Sequence, residues 1–146
     1  QQSVMMDSEG DGYVWLELRD NDNFEATATR VYGPEGLVSD LTSLQDKYTF
    51  LNYLTTTPEG RPLYYGTSDK FSNTTSLCDV LDETGNVVLY GLGSCYSYYS
   101  NSLNQLPDHV FVARRGFYYG WMDTDGKWLY CQSIFSTLND DDEMAY

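Results

Sequence analysis

The chain has 146 residues and a formal net charge of −14, from 22 acidic and 8 basic residues. An acidic surface of this kind repels phosphate groups, so nucleic acid and anionic membranes are poor partners. A hydrophobic share of 41% can fill a core, but no run approaches the about 20 apolar residues that cross a bilayer, and no membrane insertion is expected.

Strand patterns dominate the chain. Alternating residues, or runs rich in β-branched and aromatic residues, occur at 13–18, 24–29, 87–90, 110–113, 117–122 and 127–130. In the first of these runs, Val14, Leu16 and Leu18 share one face of the predicted strand. The composition agrees with this pattern, because the 14 tyrosines favour pleated sheets.

Helical spacing is confined to one short stretch. Leu37, Leu41 and Leu44 lie four and three residues apart, which supports two helical turns at most. The sequence therefore predicts an all-β fold of antiparallel strands with little helix. We expect a single β-repeat domain over residues 1–139 and a solvated acidic tail at 140–146.

A turn motif recurs along the chain, in which an apolar residue precedes Asp, two turn residues and Gly. The Asp accepts hydrogen bonds from backbone N–H groups ahead of it, and the Gly supplies the positive φ that a side chain would penalise. The motif residues are Asp7, Gly10, Gly36, Gly60, Asp82, Gly85, Asp123 and Gly126.

The spacing of these turns predicts repeated strand–turn–strand units that share a core. The first four glycines lie at nearly equal intervals, and the longer gap before Gly126 indicates an insertion at 91–107. Stacked hairpins of this kind form an open, solenoid-like stack, a propeller-like ring or a closed barrel. Units of this length hold two or three strands, which favours the open stack.

The last unit carries a family resemblance. Residues 119–127 read aromatic, Gly, aromatic, aliphatic, Asp, two turn residues, Gly and Lys, and 110–116 read as a strand with a tight turn. Over about 108–135 the chain resembles the bacterial WG-repeat family. The resemblance implies a β-repeat domain of bacterial proteins, many of them exported, so an extracellular or cell-surface location is favoured. It implies no enzyme activity and no catalytic residue.

The sequence points to no metal or cofactor. Cys78, Cys95 and Cys131 have no metal-ligand spacing. We expect three reduced, buried thiols, with one disulfide and one free thiol as the alternative. His109 is the only histidine, which excludes a His-cluster metal site, and we expect it to have a structural or solvated role.

These observations favour a non-enzymatic interaction module with a protein or glycan partner of unknown identity. A second hypothesis is a carbohydrate-binding domain, in which exposed aromatic rings stack on sugars. The candidate rings are Tyr98, Tyr99, Tyr118, Trp121 and Trp128. A third hypothesis is a hydrolase, which requires two carboxylates about 5–10 Å apart in one concave pocket.

Overall fold

In the computed structural model, the described residues form twelve strands in three antiparallel sheets of four. The structure describes residues 2–8, 11–23, 25–68, 77–96 and 107–135. Each sheet is a meander, because strands that follow one another in the chain are neighbours in the sheet. Each sheet also keeps two edge strands, so none of the three closes on itself.

The N-terminal sheet contains β1 (Gln2–Ser8), β2 (Val14–Asp20), β3 (Ala26–Gly33) and β4 (Gly36–Asp40). The middle sheet contains β5 (Phe50–Thr56), β6 (Pro62–Ser68), β7 (Leu77–Leu81) and β8 (Val87–Leu92). The C-terminal sheet contains β9 (Ser94–Tyr96), β10 (Val110–Arg115), β11 (Tyr118–Asp123) and β12 (Trp128–Ser133).

The all-β prediction is confirmed, and so is the small share of helix. A short 3-10 helix at Thr42–Asp46 links the first two sheets. It covers the second half of the predicted helical stretch, because Leu37 belongs to β4 instead. The helix begins where the N–H of Thr42 donates to the carboxylate of Asp40. No helix in the described ranges has the length and apolarity needed to cross a membrane.

The seam between the middle and C-terminal sheets holds the larger core cluster. Leu54, Leu63, Cys78, Val80, Leu92, Cys95, Phe111, Ala113 and Met122 pack together there. A disulfide between Cys78 of β7 and Cys95 of β9 joins the two sheets covalently. The expectation of three reduced thiols is therefore wrong, because strand packing brings these two cysteines side by side. Cys131 is free and half-buried.

The seam between the N-terminal and middle sheets is smaller and more polar. Trp15, Val31, Leu41 and Tyr64 form its core cluster. At one end of this seam the backbone N–H of Asp11 donates to the carbonyl of Gly60 over 2.8 Å. Farther along the same strands the two sheets separate into a cleft.

Candidate functional site

One face of β2 lines the cleft between the N-terminal and middle sheets. Because side chains alternate along a strand, Trp15, Glu17 and Arg19 point to the same side. Trp15 is only 6% exposed and Glu17 only 7%. Val14, Leu16 and Leu18 lie on the opposite face and are half-buried. The face that the sequence marks as apolar is thus the outer one.

Beneath the cleft, Trp15 packs on aromatic rings of the middle sheet. The Trp15 indole packs against the Tyr64 ring, with ring centroids 4.7 Å apart, and the Tyr53 ring meets Tyr64 edge-on at 6.4 Å. Tyr64 belongs to β6 and is fully buried. These ring contacts join the two sheets and fix the position of the Trp15 side chain.

Two hydrogen-bonded pairs form the polar wall on the N-terminal sheet. The guanidinium of Arg19 donates to Oε1 of Glu17 from both Nε (2.8 Å) and Nη2 (2.7 Å). Gln45, from the 3-10 helix, donates its amide N–H to Oγ1 of Thr29 over 2.6 Å. Thr29 is the cross-strand partner of Glu17, so the two pairs lie side by side.

The middle sheet supplies the opposite wall. Tyr48 is 5% exposed, and its hydroxyl donates to the carboxylate of Asp79 over 2.7 Å. Burial raises the pKa of the Tyr48 phenol above its ordinary value of 10.0, and the hydrogen bond and negative charge of Asp79 act in the same direction. Gly66 leaves room for the Tyr48 ring, because a Cβ at that position would lie 2.6 Å from it. Phe50, 56% exposed, stands at the mouth.

The cleft encloses about 500 Å³. Its lining residues are Trp15, Glu17, Arg19, Glu25, Ala26, Thr29, Gln45, Asp46, Tyr48, Thr49, Phe50, Leu51 and Asn52. The lining contains three carboxylates, of Glu17, Glu25 and Asp46, and one guanidinium, of Arg19, so it carries a net negative charge. The combination of rings, an amide, a guanidinium and carboxylates can stack on a flat apolar surface and hydrogen-bond a polar rim.

Five of the predicted turn residues lie in loops that do not line the cleft: Gly60, Asp82, Gly85, Asp123 and Gly126. Three five-residue loops share one geometry: 57–61, 82–86 and 123–127. Their fourth residues, Gly60, Gly85 and Gly126, have φ of 89°, 88° and 84°. Each of these glycines donates its N–H to the carbonyl of the first loop residue, over 2.9 to 3.0 Å.

The first residue of each loop caps it with a side-chain oxygen. Oδ1 of Asp82 accepts from the N–H groups of Thr84 and Asn86, and Oδ1 of Asp123 acts in the same way in its own loop. Thr57 replaces Asp in the 57–61 loop, and its Oγ1 accepts from the N–H of Arg61.

In the structure, the first loop is shifted by two residues from the predicted copy of the motif. Asp7 lies in β1, and Gly10 lies outside the described residues. Ser8 pairs with Val14, which encloses five residues, and the fourth of them is Gly12, with φ of 80°. Gly36 belongs to another kind of turn, because it pairs with Gly33 across a two-residue hairpin.

The predicted stacking aromatics do not form one described face. Tyr98 and Tyr99 lie outside the described residues. Trp128 pairs with Met122 and packs against the core cluster, whereas Trp121 points to the other side of β11 and contacts Tyr130 at 6.1 Å. Tyr118, 52% exposed, lies at the opposite end of β11 from Trp128. His109 has a positive φ of 68° and contacts the carbonyl of Thr56.

The cleft residues were missed in the sequence because they come from three separate segments. The one available signal was the alternation of Trp15, Glu17 and Arg19 along β2, which places a charged pair on a face with a tryptophan. In the described ranges, no group of three His, Cys, Asp or Glu side chains is arranged to hold a metal ion.

Comparison with protein families decides the family. The model of a domain of unknown function, DUF5046, matches residues 1–141. The chain belongs to the DUF5046 family. The resemblance to the WG-repeat family is wrong, since no WG-repeat model matches. The resemblance was based on residues 110–116 and 119–127, a strand, a tight turn and a second strand that ends in an Asp-x-x-Gly loop, and local turn chemistry produces such loops in unrelated proteins.

Two further comparisons found nothing similar to this DUF5046 chain: no curated protein matches it, and no solved structure matches it.

Proposed function

We propose that this DUF5046 domain is a non-enzymatic binding module and that the cleft between its N-terminal and middle sheets holds a neutral saccharide. One observation carries the proposal. A hydrogen-bonded Glu17–Arg19 pair, whose carboxylate is buried and whose Arg19 side chain is 37% exposed, lies beside the Trp15 indole in an open cleft.

The Glu17–Arg19 pair contributes little to folding. The Arg19 side chain is 37% exposed, and ion pairs with this much access to water contribute only about 0–1 kcal/mol to stability. A role in stability therefore does not account for the pair. Binding sites do place a few oriented polar groups among apolar and aromatic side chains, and this is the arrangement in the cleft.

A sugar ring matches the cleft in shape and polarity. Ligand pockets usually enclose about 300–1,000 Å³, and the cleft, at about 500 Å³, lies in this range. The exposed ring of Phe50 offers a flat apolar surface at the mouth, and Gln45 and Asn52 offer amide groups. The hydroxyl groups of a sugar both donate and accept hydrogen bonds, so they can pair with the amide, carboxylate and guanidinium groups of the cleft.

Electrostatics select a neutral ligand over an acidic one. Glu17, Glu25 and Asp46 line the cleft with only Arg19 opposite them, and the whole chain carries −14. Sulfated and carboxylated sugars are repelled by this field.

We also propose that the repeating unit of the domain is a strand pair joined by a five-residue loop. Gly12, Gly60, Gly85 and Gly126 occupy equivalent loop positions in the three sheets. This hypothesis retains the repeat predicted from the sequence, with its first copy realigned from Gly10 to Gly12.

A glycan array of neutral and acidic oligosaccharides tests the proposed function. We expect binding to neutral glycans and none to sulfated ones. In calorimetry with the best neutral glycan, Phe50→Ala should weaken binding about tenfold, through loss of a stacking surface. Phe117→Ala is the matched control, because Phe117 is 60% exposed and lies in the turn between β10 and β11, away from the cleft. An array with no neutral glycan above background overturns the proposal.

The predicted hydrolase is tested in the same experiment. The cleft contains three carboxylates, so the bound glycan is incubated with the protein and analysed by mass spectrometry. We expect the glycan to stay intact. Cleavage that Glu17→Gln abolishes would show that the domain is an enzyme.

A further inference from the structure

A second cavity lies among the five-residue loops, at the end of the strands away from the cleft. It encloses about 280 Å³ and is lined by Thr57, Glu59, Arg61, Leu63, Asp82, Glu83, Val88, Leu89, Thr124 and Asp125. We propose that this loop-end cavity binds the cationic end of an alkyl chain, the chemistry of a lysine or arginine side chain.

The proposal rests first on the Glu83 carboxylate. Its side chain is only 9% exposed, and its Oε1 is buried with no hydrogen-bond partner in the described part of the chain. The other oxygen, Oε2, lies 3.5 Å from Nη1 of Arg61, whose side chain is 54% exposed. This one long contact to the largely solvated Arg61 guanidinium offsets little of the free-energy cost of burying the Glu83 carboxylate. Buried polar atoms without a partner are rare and occur at functional positions.

The backbone of the loop that carries Glu83 is held in place by the N-terminal half of the chain. The hydroxyl of Ser39 donates to the backbone carbonyl of Glu83 over 2.5 Å. Gly85 packs tightly on the N-terminal sheet, because a Cβ there would lie 2.9 Å from Leu41, and its positive φ of 88° keeps other residues out. The poorly compensated Glu83 carboxylate therefore lines the cavity from a rigid loop.

The walls of the cavity match both the cationic head and the alkyl chain of such a ligand. Glu59, Asp82 and Asp125 add negative charge around Glu83, and clefts lined by one sign of charge concentrate the opposite ion. Leu63, Val88 and Leu89 form an apolar side, along which a methylene stem can lie while its charged head reaches the carboxylates. A metal ion is a poorer match, since the described residues provide no group of three ligating side chains.

The test is a titration of the whole chain followed by amide NMR, with the signals of Glu83 and Gly85 as reporters. The probes are n-butylammonium and n-butylguanidinium as free cations, Gly-Lys-Gly and Gly-Arg-Gly as peptides, and n-butanol as the uncharged analogue. We expect the cations to shift these signals saturably and n-butanol to leave them unchanged. If the two peptides bind and the two free cations do not, the ligand is a lysine or arginine side chain within a polypeptide. If no cation binds, the proposal is overturned.

Two variants separate a binding role of Glu83 from a structural one. Glu83→Gln should weaken cation binding about tenfold or more, because a charged hydrogen-bond acceptor is lost. Glu35→Gln removes one charge from an exposed hairpin elsewhere and should leave affinity within about twofold. Arg61→Ala removes the guanidinium that contacts Glu83 in the free protein and competes with the ligand, so it should tighten cation binding about threefold. If Glu83 serves only to hold Arg61, Arg61→Ala does not tighten binding, and this overturns the proposal even where Glu83→Gln fails to fold.

Discussion

The two seams of the molecule differ in what fills them. Between the middle and C-terminal sheets lies an apolar cluster of nine buried residues, closed by the Cys78–Cys95 disulfide. Between the N-terminal and middle sheets the apolar cluster has four members, and a cleft lined by the Glu17–Arg19 ion pair lies beside it. We therefore expect the apolar seam to contribute most of the stability, and the proposed function assigns binding to the polar seam. Changes in the two seams should separate stability from binding.

The largest effect is expected in the apolar seam. Phe111 is fully buried in the nine-residue cluster, and Phe111→Ala leaves a cavity that the neighbouring sheets fill only in part. We expect a loss of about 3–5 kcal/mol in the free energy of unfolding, measured by urea denaturation. A loss below about 1 kcal/mol would mean that the cluster is loosely packed and does not dominate stability.

Removing the disulfide should have the next largest effect. Cys78 and Cys95 are 17 residues apart in sequence, so the cross-link restricts the unfolded chain, and the double variant Cys78→Ala/Cys95→Ala should lose about 3 kcal/mol. Cys131→Ala is the matched control, because this half-buried thiol is free, and we expect it to cost less than about 1 kcal/mol. Equal losses in both variants would show that the cross-link itself adds nothing.

A smaller effect should appear at alkaline pH. The pKa of Tyr48 is raised in the folded protein, chiefly by burial, so between pH 10 and that higher value the folded state holds a proton that the unfolded state has lost. Stability from this group is therefore complete below pH 10 and falls as the pH rises further. Urea denaturation from pH 8 to 11 should show a shallower alkaline decline for Tyr48→Phe than for the parent chain. If the free energy of unfolding falls equally with pH in the variant and the parent chain, Tyr48 does not cause the alkaline loss of stability.

The sequence was a good guide to strands and a poor guide to which face each strand buries. The run at 13–18 is a strand, β2, because alternation and aromatic content are local properties. Apolar residues occur on both of its faces, however, and only the contact of Trp15 with Tyr64 in another sheet decides which face is buried. The family resemblance failed for the opposite reason, since a local loop motif was taken for a whole repeat.

Details set by strand pairing were also beyond the sequence. Gly10 and Gly12 are both available for the first loop, and the pairing of Ser8 with Val14 selects Gly12. The link between Cys78 and Cys95 depends on two strands of different sheets lying side by side. Glu83 looks like an ordinary turn residue, and only the packing of its loop buries it. Each of these facts comes from contacts between distant segments.

The smallest change in stability is expected for the variant that bears most directly on the polar seam, Glu17→Leu/Arg19→Met. Met5 and Thr29 flank Glu17 on the neighbouring strands, so apolar side chains of similar length can fill the site. If the Glu17–Arg19 pair exists for binding, urea denaturation should give a free energy of unfolding within about 1 kcal/mol of the parent chain, or above it. A loss of about 3 kcal/mol or more would show that the pair holds the two sheets together and would contradict the division between the two seams.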